Sequence, residues 1–261
     1  MFMRNYIASD WKEVLAHNQL ASFDQLWELD ADWFEEPNRR RGGWSGVSRI
    51  ELLLPSGGKV GFFLKRQENH IYKSLSHPLR GEATFLREVK NIQRFSACGV
   101  PTLELVFFEQ RSVKGKLRAI LVTRELVGYA PLTAQQFSPG HPVMRSLKRK
   151  KALLSKLADL MRRMHENHFQ HNCFYPKHVF ACVDDDGNID TRVIDLEKVK
   201  WSPFKHEAMF RDLDTLNRHT KGWSLSDRMR FLKFYVQETK LSEKSKKLWR
   251  KLAKRSAQKS T

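Results

Sequence analysis

The stretch 170–200, QHNCFYPKHVFACVDDDGNIDTRVIDLEKVK, constrains the fold of this chain most tightly. Two short apolar runs, residues 179–183 and 191–196, flank Asp184-Asp185-Asp186-Gly187-Asn188. An acidic, glycine-bearing turn between apolar runs predicts a β-hairpin. A polar loop, residues 171–178, leads into the first strand, and one carboxylate, Asp195, stands at the end of the second. The hairpin thus holds a polar loop and an acid at its open ends. A surface hairpin with an ordinary capping aspartate has the same pattern, so the rest of the chain has to decide between them.

With 261 residues, 41% of them hydrophobic, the chain can bury one large core or two smaller lobes. Its formal net charge of +18 favours an anionic partner: nucleic acid, a membrane surface, or a phosphorylated or acidic substrate. Cys98, Cys173 and Cys182 are few and irregularly spaced, which argues against a disulfide framework and for a reducing compartment. No apolar run approaches the length of a membrane span, and the first residues lack the apolar core of a secretory signal; a cytoplasmic protein is expected.

Residues 1–40, rich in Trp and acids, are expected to form one or two short helices. Residues 41–65 read as strands around a glycine-rich turn, Arg41-Gly42-Gly43-Trp44-Ser45-Gly46, and the turn Pro55-Ser56-Gly57-Gly58. Gly43 and Gly46 would let backbone N–H groups approach a phosphate closely, although a plain hairpin uses glycine equally well. Lys65 ends the apolar run 60–65 and calls for an anionic partner unless it snorkels to solvent. Residues 82–97 have helical periodicity, with Glu88 near the apolar face; Glu82, at the helix start, competes with it as a partner for Lys65. Two strands, 103–110 and 117–126, are expected around the basic turn 111–116, after which Glu125-Leu126-Val127-Gly128 leaves the sheet. A long basic helix is predicted over 142–168, and two further helices over 209–217 and 226–237. The tail, 240–261, alternates Lys and Arg with Leu241, Leu248, Trp249 and Leu252. It reads as a basic amphipathic helix for an anionic membrane surface or as a merely solvated basic end. No aromatic stacking platform or nucleic-acid motif accompanies the charge, which counts against nucleic acid as the partner.

Protein kinases arrange a catalytic loop, a hairpin and a metal-binding Asp in this order, after a strand Lys and a helix Glu. The segments Gly61-Phe62-Phe63-Leu64-Lys65, Arg87-Glu88, Gly99-Val100-Pro101-Thr102, residues 171–178, residues 193–198 and Arg211-Asp212-Leu213 follow that order. Together they make the chain resemble the lipopolysaccharide kinase family (the Kdo/WaaP and InaA group) over residues 22–236. The resemblance implies an α+β, two-lobed protein-kinase-like fold. The N-terminal lobe (1–126) would pair an antiparallel sheet with a helix, and the C-terminal lobe (127–239) would be mostly helical, with 240–261 as a basic tail. It also implies ATP and Mg²⁺ as cofactors: Lys65 on the α/β-phosphates, Glu88 holding Lys65, Glu125 beside the adenine, and Asp195 and His178 on metal. His171 and Cys173 would line the reacting hydroxyl, and Asp212 would hold the catalytic-loop backbone. The substrate would be a hydroxyl on the core of lipopolysaccharide or its precursor, met at the cytoplasmic face of the inner membrane.

The family pattern is His-Arg-Asp-Cys-Tyr-x-x-His. In this chain Asn172 replaces the Arg, and Cys173 falls at the catalytic Asp. A thiol is a poor proton acceptor unless activated. Phosphoryl transfer, however, depends mainly on positioning and charge stabilisation, so a kinase and a nucleotide-binding pseudokinase that scaffolds an envelope stress response are both compatible with the loop. His165, His168, His171 and Cys173 also admit a zinc cluster.

Overall fold

The computed structural model describes residues 5–40, 42–74, 77–184 and 186–257. Arg41 of the glycine-rich turn, Asp185 of the acidic turn and residues 258–261 of the tail lie outside them. The chain divides into two compact units, one of Met1–Arg94 with Leu103–Val127 and one of Phe95–Thr102 with Gly128–Thr261.

The first unit contains β1 (Asn5–Ile7), α1 (Lys12–His17), α2 (Phe23–Glu28), β2 (Trp33–Arg40), β3 (Gly43–Leu53), β4 (Lys59–Glu68), β5 (Ile71–Ser74), β6 (His77–Ala83), most of α3 (Thr84–Ala97), β7 (Leu105–Val113) and β8 (Lys116–Arg124). Six strands form one antiparallel sheet in the order β1-β7-β8-β4-β3-β2; β5 and β6 pair separately. Leu15, Phe23 and Leu26 of α1 and α2 bury against Ile50, Leu52, Phe62, Leu64, Phe107, Ile120 and Val122 of the sheet. Because strand side chains alternate between faces, burying Leu64 against this layer points Lys65 to the opposite face.

Residues 1–40 contain not only helices but also β2, a strand that bears Pro37 and lies at the sheet edge. An edge strand tolerates proline and charge, so it lacks the apolar alternation that announces a strand. The glycine-rich segment is itself strand from Gly43 onward. The basic turn shrinks to Lys114-Gly115, and the ladder continues through Arg111↔Arg118. Lys65 does not end its strand, since β4 runs on to Glu68.

The second unit contains β9 (Ala130–Pro131), α4 (Pro142–Arg145), α5 (Leu147–Glu166), β10 (Phe169–Gln170), β11 (Val179–Val183), β12 (Ile189–Val193), β13 (Lys200–Trp201), α6 (Lys205–His219), α7 (Leu225–Val236) and α8 (Glu243–Ala257). The long helix expected over 142–168 breaks at Ser146, whose hydroxyl caps α5 by accepting from the Arg149 N–H at 3.4 Å. The hairpin is present, but its second strand begins at Ile189 and ends at Val193, so Asp195 stands outside the ladder. The tail does form a helix, yet its apolar side faces inward. Leu252 and Ser245 are buried, Asn217 of α6 donates to the Leu252 carbonyl, and Arg255 pairs with buried Asp214 at 3.1 Å. That face of α8 is therefore covered by the protein's own helix rather than open to a membrane.

Candidate active site

In the first unit the Lys65 Nζ lies 2.8 Å from Glu88 Oε1, and Glu88 is buried. Gln67, two residues along β4 from Lys65, fixes the register between strand and helix. Its Oε1 accepts from Thr84 Oγ1 at 2.9 Å and from the Phe85 N–H at 3.1 Å, capping the start of α3. Strand and helix are thus tied one turn before the ion pair. Glu82, the rival, instead accepts from the Tyr72 hydroxyl at 3.0 Å and pairs with Lys90 at 3.1 Å. Gly43 and Gly46 have packing reasons of their own. A Cβ on Gly43 would run into the backbone of Glu68 and Asn69, and one on Gly46 would come within 2.6 Å of the Trp33 ring. The Glu125 carboxylate receives Arg49 Nε and Nη2, both at 2.8 Å, and its N–H donates to the Gly61 carbonyl at 2.9 Å. Its side chain and N–H are thus engaged within the first unit, and its carbonyl accepts from the Val127 N–H at 3.1 Å.

In the second unit a buried acid organises the loop after β10. Asp212 of α6 accepts the His171 N–H at 2.7 Å and the Asn172 N–H at 3.0 Å, with His165 Nε2 at 3.2 Å. His165 Nδ1 lies 2.8 Å from the Tyr235 hydroxyl of α7. Two consecutive amides bound to one carboxylate require a sharp bend, and Asn172 adopts a left-handed φ of 65°. The Asn172 side chain bonds the Lys198 carbonyl at 2.8 Å, tying the loop to the segment after the hairpin.

The His171 ring is held in one protonation state by its neighbours. Its Nε2 faces the Ile194 carbonyl, an acceptor, at 3.1 Å, and its Nδ1 faces the Cys173 N–H, a donor, at 3.3 Å. The ring is therefore neutral with the proton on Nε2, and burial pushes its pKa below the usual histidine value. It is a structural pin rather than a base. Burial raises the Cys173 thiol above the ordinary cysteine value, with Lys198 opposing that rise. Cys173 is thus not an activated thiolate, and the cation beside it is Lys198.

His178 donates from Nδ1 to the Cys173 carbonyl at 2.9 Å, and its Nε2 lies 3.4 Å from Asp195 Oδ2. Asp195 itself sits in a left-handed conformation, φ 59°, and the Ile194 N–H donates to the His178 carbonyl at 2.9 Å. The hairpin's open ends are clamped together there. With Nε2 unprotonated, the same nitrogen and carboxylate oxygen present two donor atoms to a shared cation. A divalent ion held by one carboxylate, one further ligand and substrate phosphates fits this donor set. The zinc cluster does not form: His165 is bound to Asp212 and Tyr235, His168 stacks on Trp201, and no group of three or more potential ligands converges among the described residues. Sequence reasoning missed Gln67 and Lys198. Neither carries a spacing signal, and each owes its role to a contact made by folding.

The sequence profile of the lipopolysaccharide kinase (Kdo/WaaP) family matches residues 24–235. Protein InaA of Escherichia coli (strain K12) is 32% identical over 197 residues, covering 76% of this chain and 87% of InaA. A solved structure of WaaP in complex with acyl carrier protein superposes with a TM-score of 0.66 over 98% of this chain and 96% of that one. At 20% identity that likeness establishes the kinase-like fold. With the profile match and the InaA relationship together, the chain belongs to the lipopolysaccharide kinase (Kdo/WaaP) family.

Proposed function

We propose that this protein transfers the γ-phosphoryl group of ATP to a sugar hydroxyl of the lipopolysaccharide core, at the cytoplasmic face of the inner membrane. The observation that carries the reading is the Lys65–Glu88 pair at 2.8 Å, on a strand and helix joined by Gln67. A lysine held this way presents a fixed positive charge for the α/β-phosphates without rearranging. The first unit is accordingly the nucleotide-phosphate lobe, and the second carries the catalytic loop. There Asp195 and His178 would hold Mg²⁺, whose chemistry is to neutralise charge on the phosphates. Asp212 and His171 keep the loop in the conformation that presents Cys173 and Lys198. Lys198 supplies positive charge where the family's aspartate would stand, and the transferred hydroxyl proton need not pass to a protein base.

Cys173 favours a second reading, a pseudokinase that binds nucleotide without transfer. A melting experiment tests what both readings share. ATP with Mg²⁺ raises the melting temperature, a ligand at 100 times its dissociation constant adding about 2.7 kcal/mol. Lys65→Ala and Asp195→Ala each remove most of that shift. Absence of any shift in the wild type at millimolar ATP rejects the kinase and the pseudokinase together.

A further inference from the structure

Of the segment from Lys198 to His206 only Lys198 takes part in the loop chemistry, and the whole stretch is built unusually. It reads Lys-Val-Lys-Trp-Ser-Pro-Phe-Lys-His, with three lysines and no acid. Trp201 is 57% exposed and Phe204 68% exposed, and Lys198, Lys200, Lys205 and His206 are exposed around them. Large aromatics left in water beside cations need a reason, and mobility is not one here. Gln170 and Phe169 pair in register with Lys200 and Trp201. The Ser202 N–H donates to the His168 carbonyl at 2.7 Å, and His168 Nδ1 donates back to the Ser202 carbonyl at 3.2 Å. The His168 ring stacks on one face of Trp201 at 5.7 Å, and Asn172 holds the Lys198 carbonyl. The backbone is fixed, and the aromatic side chains project from it.

We infer that the Trp201–Phe204 turn with Lys198, Lys200 and Lys205 is a docking surface for an anionic lipid bilayer. The side-chain types fit that occupant. Trp settles at the headgroup level with its ring among acyl carbons and its N–H in the wet layer. Lysines beside it meet lipid phosphates, and a chain of net charge +18 is drawn to the same surface. The basic helix α8 is the obvious rival, but Leu252 is buried against the protein and cannot enter lipid. This inference rests on the proposed function in one respect: Asp195 lies three residues before Lys198, so docking brings the phosphoryl-transfer loop to the headgroup level, where a lipid-linked sugar is presented.

The test is co-sedimentation of the full chain with vesicles of phosphatidylethanolamine and phosphatidylglycerol, compared with phosphatidylcholine alone. The wild type binds the anionic vesicles. W201A/F204A loses about tenfold or more of that partition, and K200A/K205A loses roughly 25-fold, at about fivefold per lysine. K200A/K205A leaves the melting temperature unchanged because both lysines are exposed, and retained stabilisation by ATP with Mg²⁺ shows that W201A/F204A, which gives up the His168 stack, is still folded. Wild-type partition by W201A/F204A, or no wild-type binding to either vesicle, overturns the inference. Phosphate transfer to a soluble, deacylated acceptor reads the proposed function separately, and W201A/F204A leaves it unchanged. Loss of that transfer in the wild type with intact vesicle binding rejects the function and keeps the surface.

Discussion

Cys173 stands where a general base is expected, and its surroundings withhold the activation that a thiol base needs. Burial raises its pKa, His171 is neutral and turned to the Cys173 amide, and Lys198 opposes the rise without reversing its direction. A general base contributes about 10²–10⁴-fold to rate. Cys173→Ala therefore lowers transfer by less than about tenfold, and Cys173→Asp preserves or raises it; a loss of 10³-fold in the alanine variant with nucleotide binding intact contradicts this account. His171 makes a second prediction. Its folded pKa lies below the ordinary 6.5 because burial disfavours the charged ring. As pH falls below that ordinary value the unfolded chain takes up a proton that the folded ring resists, so stability drops. The melting temperature of the wild type falls more steeply between pH 7 and pH 5 than that of His171→Gln, and parallel curves would remove His171 as the cause. The identities of Lys65, Glu88, His171, His178 and Asp195 were legible as a series in the sequence. The partners of Glu125 were not, because Arg49 reaches it from 76 positions away, and the His178–Cys173 carbonyl contact was not, because it depends on the loop's bend at Asn172.

Strand β4 and helix α3 act as one device. Gln67 is fully buried and supplies the cap of α3, so Gln67→Ala leaves the Thr84 hydroxyl and Phe85 amide without that acceptor, and we expect a loss of about 1–3 kcal/mol in denaturant unfolding. The same variant weakens ATP·Mg²⁺ stabilisation, since the Lys65–Glu88 pair depends on that register. Helix α8 makes a complementary case. Leu252→Ala costs about 2–5 kcal/mol, as for other buried leucines. Deleting residues 242–261 destabilises the second unit instead of leaving it intact. A tail variant as stable as the wild type would show that α8 is peripheral to that core. Helices α3, α5 and α7 were readable from apolar periodicity, and the hairpin from its acidic turn. Strand β2 was not, because an edge strand carries charge and proline. The break at Ser146 was hidden because Met144, Leu147 and Leu154 keep helical spacing across it, although Leu147 turns out exposed. For α8 the pattern showed an amphipathic helix but not which surface covers it; α6 supplies that surface, through Asn217 and Asp214.

The two compact units divide the chemistry between them. One fixes a lysine by a buried glutamate, and the other fixes a loop by a buried aspartate and closes a hairpin on a His–Asp pair. The antiparallel sheet, the helical second unit and the family could all be read from the order of motifs, whereas the boundary between units could not. Residues 95–102 belong with the second unit, where Thr102 bonds the Val193 carbonyl at 2.7 Å, a pairing of residues 91 positions apart. The net charge of +18 follows from composition alone, but its partner depends on where the exposed aromatics lie beside the lysines. Phosphoryl transfer is tested by incubating the purified chain with γ-labelled ATP, Mg²⁺ and lipopolysaccharide core precursors, with Asp195→Asn in parallel. Label appears on the glycolipid with the wild type and little or none with Asp195→Asn. Label on no acceptor, while ATP still raises the melting temperature and Cys173→Asp is equally inactive, would contradict the kinase and leave a nucleotide-binding pseudokinase.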